Sequence, residues 1–457
     1  MALGDVAMLL KFSCDNFKSF RDGFNFDMLP NLRMNELRDS IISEKIGRKS
    51  IKVLPSSVIY GANAYGKTSV INAMSCFREI ILRGNIQDDI DDKSIDHVSH
   101  MMNLIPFAFQ DDKRPVKFDV TFTFSGKKYR YCLSFYLGAF LEKDVSRYID
   151  MEQLYLNDIM IFERTRNAIT QLLLKPLGEM LNKDVSVLDT EKIMKSMTVN
   201  LVEDALLLLT DFNSFCSKKI VAEIKEWFRD YFMVINSSDK IRFVPEMYNQ
   251  DKNIIISKRI NEIAEEAGIF GSSFAYVSDP DSRSVRLMSL FQDMDAQRYT
   301  QIESDDIESS GTLRLVSIMP AILIALQKGA VLVIDELDAS LHPMIVINLI
   351  SIFHNSEVNK NKSQIVFNTH NPVYINNRLF NNRLFRRDEI KFVERDRETK
   401  SSELYSLSDF KANGAASVRK TTDYMKNYFV SRYGGIENID FTDIVKEVLN
   451  EGDFKNE

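Results

Sequence analysis

The chain has few of the residues that mark secreted, zinc-binding or redox-active proteins. Its 457 residues include 4 cysteines and 5 histidines, and no two cysteines form a CxxC pair. Cysteines this sparse and this far apart favour reduced thiols, a cytoplasmic setting and no zinc site. The four positions are Cys14, Cys76, Cys132 and Cys216.

Long apolar runs and an excess of basic charge are also missing. No run reaches the roughly 18 apolar residues that a membrane helix needs. The nearest, residues 315–334, is interrupted by Gln327-Lys328-Gly329, so we expect no membrane contact. The first ten residues lack a basic region, so we expect no signal peptide. The net charge of −7 argues against nucleic-acid binding over the whole surface, although it leaves room for a local basic groove.

The strongest positive signal is the octapeptide GANAYGKT at residues 61–68. It matches the pattern G-x-x-x-x-G-K-[ST] at every position. A short β-type run, residues 57–60, precedes it, and an apolar pattern suited to a helix, residues 69–74, follows it. Strand, loop and helix form the context in which this pattern binds phosphate. A glycine-rich turn without a ligand is the alternative, and the flanks weaken it.

The residue types explain how such a loop would hold a polyphosphate. Gly61 and Gly66 let backbone N–H groups close around the phosphates, and the helix that begins near Lys67 directs its positive dipole end at them. Lys67 adds a point charge for the β- and γ-phosphates. The Thr68 hydroxyl is a ligand for Mg²⁺.

The run VLVIDE, residues 331–336, predicts a buried parallel strand that ends in two carboxylates. Asp335 would hold Mg²⁺ or its water shell, and Glu336 would orient and polarise an attacking water. Taken alone, an ordinary strand that ends in a solvated acidic turn explains the run equally well. Because the octapeptide is present elsewhere in the chain, we interpret the run as the carboxylate-bearing strand of an ATPase.

A serine- and glycine-containing segment, ESSGTLR at residues 308–314, precedes that strand and an intervening apolar helix. Ser309, Ser310 and Gly311 at a helix N-terminus form an anion-binding corner, although the same residues are typical of a simple helix cap. Their order along the chain is similar to that of ABC-type ATPases. In those proteins the signature of one subunit contacts the γ-phosphate held by the P-loop of another.

Four of the five histidines bear on the function, and one of them is a candidate switch. His370 ends the apolar strand 365–370, where ABC-type ATPases place a histidine that contacts the γ-phosphate. A lone histidine at a strand end is more often a structural hydrogen bonder, and the order of the four motifs favours the switch. We expect His342 near a subunit interface. His97 and His100 have HxxH spacing but no apparent third ligand, so we expect no metal site there.

The hydrophobic pattern predicts an α/β protein with a mixed sheet, an antiparallel β subdomain and an all-helical insertion. Residues 116–124 and 129–135 alternate around Ser125-Gly126, which indicates a hairpin. From residue 168 to 268 apolar side chains recur at helical spacing. We therefore predict four parts: an N-terminal ATPase lobe (1–165), the helical insertion (166–275), a C-terminal ATPase lobe (276–400) and an extension for partner or oligomer contacts (401–457).

Several of these segments together resemble a known group. They look like the ABC-type AAA family ATPases of the RloA/AbiL and OLD-like kind, and the AriA-type ATPase of PARIS anti-phage systems is similar in size and layout. The SMC and DNA-repair ATPases are more distant relatives. The resemblance spans residues 9–435 and implies an ABC-type P-loop ATPase head. Its main segments are NFKSF (16–20), GANAYGKTS (61–69), ESSGTLRL (308–315), VLVIDELDASLHP (331–343) and FNTHNP (367–372).

The resemblance also implies roles for individual residues. Glu336, Lys67 and His370 would be catalytic, with Asp335 and Thr68 at Mg²⁺, and Lys18 with Ser19 would lie near the nucleotide. The signature residues would act on a second copy. Gln110 and Gln153 are two candidates for the Q-loop glutamine. The residues implied to bind ATP are Gly61, Asn63, Gly66, Lys67, Thr68, Ser69, Lys18, Ser309, Ser310 and Gly311.

The group's biology implies an ATP-driven dimeric or higher-order switch in bacterial anti-phage defence or abortive infection. Such a subunit controls a separate effector, often a TOPRIM-like nuclease, and its trigger would be DNA or a phage protein. About 85 residues follow His370, and they lack the strand-end glutamate and DxD pair of a TOPRIM domain. The long coiled coil of SMC proteins is also missing. We therefore expect no nuclease within this chain.

A different class of function stays open, namely a repair or maintenance ATPase that acts directly on DNA. It needs a basic groove, for which the sequence offers one arginine cluster, although we expect that cluster to be a solvated face instead. A membrane-transporter ATPase subunit fits poorly because of the large insertion. The cluster consists of Arg378, Arg383, Arg386 and Arg387.

Overall fold

A computed structural model defines the architecture around one mixed sheet and one antiparallel sheet. It describes residues 6–47, 49–87, 104–109, 113–138, 142, 145–183, 185, 187–236, 254–256, 258–278, 285–292, 299–376, 383–410, 422–436 and 440–451. Statements about the structure refer to these residues.

The strands in chain order are β1 (Met8–Asp15), β2 (Phe24–Asp27), β3 (Ile42–Ile46), β4 (Lys49–Val53), β5 (Ser56–Tyr60), β6 (Val116–Phe124), β7 (Lys127–Tyr136), β8 (Tyr148–Leu156), β9 (Ile159–Thr165), β10 (Ile169–Leu172), β11 (Phe232–Ile235), β12 (Ile254–Ile256), β13 (Ser273–Ser278), β14 (Val285–Gln292), β15 (Tyr299–Glu303), β16 (Val331–Ile334), β17 (Gln364–Asn368), β18 (Ile390–Arg395) and β19 (Ser402–Ser406).

The α-helices are α1 (Lys67–Arg83), α2 (Thr190–Val199), α3 (Lys218–Glu226), α4 (Lys258–Glu266), α5 (Ser304–Ile307), α6 (Ser310–Lys328), α7 (Pro343–His354), α8 (Tyr424–Phe429) and α9 (Thr442–Glu451). Two π-helical turns, Phe212–Cys216 and Trp227–Tyr231, flank α3. Short 3-10 turns lie at Arg38–Ser40, Lys175–Met180, Val187–Asp189, Pro372–Ile375 and Leu407–Asp409.

The mixed sheet has six strands in the order β11-β16-β17-β5-β18-β19. All neighbouring pairs are parallel except β18 with β19. Its central strands are apolar on both faces: Val331 and Val333 face the core that contains α1, whereas Leu332 and Ile334 face the core that contains α6 and α7. Burial on both sides explains why these strands are continuous apolar runs in the sequence.

The carboxyl ends of three parallel neighbours lie at one edge of this sheet. Strand β5 leads into the octapeptide, β16 ends immediately before Asp335, and β17 ends immediately before Thr369 and His370. Ligands of open α/β sheets bind outside the carboxyl ends of the strands. The fold therefore collects the three polar segments that the sequence places far apart.

A seven-stranded antiparallel sheet, in the order β10-β9-β8-β7-β6-β1-β2, forms the second layer. The predicted hairpin is confirmed, because β6 pairs with β7 from Val116↔Phe135 to Phe124↔Lys127 around Ser125-Gly126. Aromatic rings join this sheet to α1, because Phe77 lies 5.4 Å from Phe118 of β6 and 6.0 Å from Tyr131 of β7 between ring centroids. The mixed sheet and the antiparallel subdomain are thus as predicted.

The prediction of an all-helical insertion is wrong. Besides α2, α3 and α4, residues 166–275 contain β10, β11, β12 and β13. Strand β10 completes the edge of the antiparallel sheet, and β11 joins the mixed sheet next to β16; β12 and β13 begin a further sheet with β14 and β15. A short apolar run such as Phe232–Ile235 fits a buried strand as well as the end of a helix, so periodicity misassigned it.

Helix α6 has the length and apolar composition of a membrane-spanning helix. Its apolar side chains have a different explanation in the fold. Leu315, Ile318 and Ile322 are buried in the core beneath the mixed sheet, together with Leu332 of β16. The core of the protein therefore accounts for the apolar character of α6.

The indole of Trp227 is a main contact between the insertion and the antiparallel sheet. It is fully buried and stacks on Phe122 with ring centroids 4.0 Å apart. We predict that Trp227→Ala lowers the free energy of unfolding by about 3–5 kcal/mol, because it leaves a cavity in this core. Urea-induced unfolding followed by circular dichroism measures the change.

The control variant is Phe270→Ala, which removes a ring that is 76% exposed. It should change the free energy of unfolding by less than about 0.5 kcal/mol. Equal losses in the two variants would contradict the role assigned to Trp227.

Candidate active site

The octapeptide forms a loop between β5 and α1. Gly66 precedes the first residue of α1 with a φ of 108°, and no side chain caps the helix. A Cβ at Gly66 would lie 2.3 Å from the Ser19 hydroxyl, so a larger residue does not fit there. The first N–H groups of an uncapped helix remain available to an anion. The loop therefore has the form of a phosphate site, with Asn63 exposed on its outer side.

Lys67 lies inside this loop and is 5% exposed. Its ammonium donates to the carbonyls of Gly61 and Ala62, each at 2.9 Å. Burial lowers the pKa of Lys67 to about 8, and the nearby carboxylates of Glu336 and Asp335 oppose that shift. These contacts hold the ammonium inside the loop. A phosphate bound there would offer oxygens that accept its hydrogen bonds in place of the two carbonyls.

Thr68 connects the loop to the acidic strand end. Its hydroxyl donates to Asp335 Oδ1 over 3.1 Å, and the side-chain amide of Asn368 donates to the same oxygen. The other carboxylate oxygen, Oδ2, is buried and has no hydrogen-bond partner. A buried acceptor without a partner beside a threonine hydroxyl fits a hard cation such as Mg²⁺.

The part of the chain that the structure describes has no group of three His, Cys, Asp or Glu side chains able to hold a metal. Mg²⁺ is commonly bound by one or two carboxylates together with substrate phosphates and waters. Thr68 and Asp335 would therefore hold the ion together with a nucleotide.

Glu336 occupies a strained position directly after Asp335. Its φ is 51°, in the left-handed region that residues with a Cβ rarely adopt. Two side chains hold this backbone: Asn368 accepts from the Glu336 N–H, and Arg314 donates to the carbonyls of Asp335 and Glu336 at 3.2 and 3.0 Å. Such strain is often found at functional sites. Here the left-handed backbone fixes the direction in which the Glu336 side chain projects from the chain after β16.

His370 is exposed at the end of β17. Partial desolvation lowers the pKa of its imidazole, and the positive charge of Lys67 lowers it further, whereas Asp338 and Asp335 oppose the shift. The preceding Thr369 is anchored, because its hydroxyl donates to Asp338 at 2.7 Å. The structure therefore brings His370 into the electrostatic neighbourhood of Lys67 and Asp335.

The signature residues lie at the N-terminus of α6. Ser309 caps the helix by accepting from the Thr312 N–H at 3.1 Å, and Ser309 and Ser310 are both exposed. A Cβ on Gly311 would lie 2.6 Å from the Ser340 carbonyl, so glycine allows this helix to approach the loop after the acidic strand. Among the hydrogen bonds of the described residues, none joins this corner to the P-loop of the same chain.

The turn at residues 16–20, which holds Lys18 and Ser19, lies against the P-loop. The Ser19 hydroxyl donates to Ser69 at 3.4 Å. Lys18 has a φ of 50°, and burial lowers the pKa of its ammonium. Ser19 is therefore the residue of this turn that contacts the loop.

Two side chains that position the site were not among the sequence predictions. Asn368 bonds to both Asp335 and Glu336, and Arg314 holds the carbonyls of the same pair. Asn368 stands two residues before His370 at the end of a strand, which is a usable signal. Arg314 lies one turn into α6, and only the packing of that helix brings it to Asp335.

Other predicted residues lie elsewhere. His342 is exposed and caps α7 by accepting from the Met344 N–H at 3.3 Å. Gln153 lies on β8 in the antiparallel sheet, where its amide bonds to Glu163 at 2.5 Å. His97, His100 and Gln110 lie outside the described residues.

The described arginines of the cluster are paired with carboxylates and lie mostly out of solvent. Arg386 is fully buried and bonds to Asp388 at 2.8 Å, and Arg383 and Arg387 pair with Glu36 at 3.1 and 3.2 Å. The expectation of a solvated face is therefore wrong for these three residues. Their carboxylate partners also remove the main support for a DNA groove there. Arg378 lies outside the described residues.

The lowered pKa of Lys67 predicts a pH-dependent cost to folding. Below pH 8 the folded protein keeps a buried charge that the unfolded chain hydrates, and this penalty fades as pH rises from 8 towards 10.5. We expect Lys67→Met to be more stable than the parent by on the order of 2–3 kcal/mol at pH 7. Urea-induced unfolding at pH 7 to 10 should show the gain shrinking with pH.

The control for this prediction is Lys258→Met, which removes an exposed lysine from α4. A gain of Lys67→Met over this control that stays constant from pH 7 to 10 would contradict the burial of a charged Lys67.

Comparisons with known proteins give a match to a family model over part of the chain. Residues 221–376 match the family model described as "AAA domain, putative AbiEii toxin, Type IV TA system". The match covers roughly a third of the chain and includes the signature corner, Asp335, Glu336 and His370, but not the octapeptide. A search of curated proteins finds no match.

Two solved structures are similar over most of the chain. One is an SMC head bound to the C-winged helix domain of ScpA, with 15% identity, a TM-score of 0.37 and coverage of 87% of this chain and 97% of that one. The other is the SMC head domain from Thermotoga maritima, with 12% identity, a TM-score of 0.34 and coverage of 87% and 98%. Residues 221–376 thus match an AAA-type family model, in a chain whose mixed parallel sheet gathers the octapeptide, the acidic strand end and His370 at one edge.

Proposed function

We propose that this protein binds and hydrolyses ATP with Mg²⁺. The observation that carries the proposal is the junction at the sheet edge, where Thr68, Asp335 and Asn368 connect the phosphate loop to the acidic strand. A bare glycine-rich turn would not need a buried carboxylate with one unpartnered oxygen beneath it.

Each residue at the junction has a role in that reaction. Lys67 would bind the β- and γ-phosphates once its contacts to the loop carbonyls are exchanged for phosphate oxygens. Thr68 and Asp335 would hold Mg²⁺, which neutralises charge that develops on the phosphates. Glu336 would accept a proton from the attacking water, and His370 would contact the γ-phosphate. Asn368 and Arg314 would keep Asp335 and Glu336 in place.

The site is composite in this proposal, and a second copy of the chain completes it. Ser309 and Ser310 are exposed at a helix N-terminus, which is a suitable surface for the γ-phosphate on another subunit. Gly311 packs against the loop that follows Glu336, so the signature corner and the acidic strand would move as one unit. ATP would then hold two heads together, and hydrolysis would release them.

We further propose that this ATP-driven association is a switch in bacterial anti-phage defence or abortive infection. The matched family is described by a putative toxin of a type IV toxin–antitoxin system, which supports a defence context. In this proposal the chain acts in the cytoplasm and controls a separate effector, a TOPRIM-like nuclease, in response to DNA or a phage protein. The class of the effector and the kind of trigger are inferred from the resemblance of the sequence to the RloA/AbiL and OLD-like ATPases.

Replacing Glu336 with Gln tests the hydrolysis step. The amide cannot accept a proton, so we expect ATP hydrolysis to fall by about 100-fold or more while ATP binding is kept. The variant should form a larger assembly on ATP, which size-exclusion chromatography with light scattering measures. Lys67→Ala is the control and should remain unassembled. Equal behaviour of the two variants would exclude the proposed mechanism.

Mixing two inactive variants tests the composite site. Lys67→Ala disables the P-loop, and Ser310→Glu places a negative charge where the γ-phosphate of another copy would lie. The glutamate is compatible with a helix N-terminus, so the fold should be kept. If the active unit is a two-fold dimer, mixed dimers regain one intact site, and ATP turnover of the mixture should reach about a quarter of the wild-type rate.

The matched control for the mixing experiment is a mixture of Lys67→Ala with Glu336→Gln, since both changes affect groups of one chain's P-loop half-site. That mixture should stay inactive. Recovery in the control, or none with Ser310→Glu, would show that the signature does not act on a second copy.

A further inference from the structure

An exposed aromatic ring lies beside the P-loop, and the phosphate chemistry leaves it unused. Phe109 is 56% exposed, although large apolar rings are normally buried. It belongs to the described residues 104–109, which precede β6 in the chain. The contacts that connect this segment to the octapeptide indicate a role for the ring in ligand binding.

Backbone contacts fix the segment to the turn that touches the P-loop. The Lys18 N–H donates to the Ile105 carbonyl at 3.0 Å, and the Phe107 N–H donates to Asn16 Oδ1 at 3.3 Å. Phe107 in turn packs edge-on against Phe109, with ring centroids 5.7 Å apart. The ring is therefore held by the same turn whose Ser19 lies against Gly66.

Arg395 links the ring to the P-loop directly. Its guanidinium lies 4.9 Å from the Phe109 ring centroid and donates through Nη1 to the Ala64 carbonyl at 3.1 Å. A second bond, from Nε to the Lys400 carbonyl at 2.9 Å, fixes the guanidinium at the end of β18. The guanidinium thus covers one face of the ring and ties it to the fourth residue of the octapeptide.

We propose that Phe109 is the stacking platform for the base of the bound nucleoside triphosphate, with Arg395 as the residue that positions it. This inference rests on the proposed nucleotide site, which fixes the phosphates within reach of Ala64. A base extends away from the phosphates, and an aromatic ring with one face covered by a guanidinium offers the other face for stacking. The exposed ring would be covered only when nucleotide binds.

The first test separates the base from the phosphates. Isothermal titration measures the Kd of Mg²⁺–ATP and of Mg²⁺–tripolyphosphate, which has the phosphates but no base. We expect Phe109→Ala to weaken ATP binding about tenfold, because base–aromatic stacking of typical strength is lost. Tripolyphosphate binding should be unchanged. Phe270→Ala, which removes another exposed ring, should change neither value.

A spectroscopic test detects stacking on the ring directly, without inferring it from a change in Kd. Trp227 is the only tryptophan in the chain and is fully buried, so the wild-type protein serves as the blank. In a Phe109→Trp variant, ATP should quench the emission of the new indole by stacking on it. Tripolyphosphate should leave the emission unchanged. Quenching by both ligands, or by neither, would overturn the proposal.

The positioning role of Arg395 is tested by a double-variant cycle. Arg395→Ala should weaken ATP relative to tripolyphosphate, and Arg395→Lys should recover part of that ratio because it restores a cation near the ring. In the Phe109→Ala background, Arg395→Ala should cause no further change in the ratio. Independent effects of the two residues on the ratio would show that Arg395 does not act through Phe109.

The outcomes separate this inference from the function on which it rests. If the wild-type protein binds neither ligand, the nucleotide site and the base platform both fail. If it binds both ligands, and Phe109→Ala weakens both equally or neither, only the base platform fails.

Discussion

The hydrogen bonds around Asp335 are the constraint on which the rest of the site depends. One carboxylate oxygen accepts from Thr68 on α1 and from Asn368 on β17, so a single group connects the phosphate loop to two parallel strands. Its carbonyl, directly after the end of β16, accepts from Arg314 of α6. Four elements thus meet at one buried residue, and a displacement of any of them would change the distance between Lys67 and the acidic pair.

The insertion also supports this junction, through β11 and the π-helical turn that precedes it. Strand β11 pairs with β16 along its whole length, and the Asp335 N–H donates to the Ile235 carbonyl at 2.8 Å. The π-helical turn before β11 is held by Arg78 of α1, which donates to the carbonyls of Phe228 and Phe232 at 2.9 Å each. The helix of the P-loop and the acidic strand are therefore joined a second time, through the insertion.

Local signals explain which features could be predicted from the sequence. The octapeptide specifies its own turn and helix start, VLVIDE specifies a buried strand with a polar end, and Ser125-Gly126 specifies a hairpin. These patterns depend on neighbours within a few residues. By contrast, Phe232–Ile235 became a strand because it pairs with β16, and Arg383, Arg386 and Arg387 all bond to Glu36, more than 340 residues earlier in the chain. Such pairings depend on residues far away in the chain.

The sequence by itself determined the chemical groups of the candidate site and the order of its motifs, because a phosphate loop and a strand that ends in carboxylates are local patterns. Only the tertiary structure decided how these groups meet. It made Asn368 the connection between Asp335 and Glu336, brought Arg314 to their carbonyls, and set Arg395 between Phe109 and Ala64. The reason is geometric: hydrogen bonds form between atoms about 3 Å apart, and parallel strands bring such atoms together from residues separated by hundreds of positions.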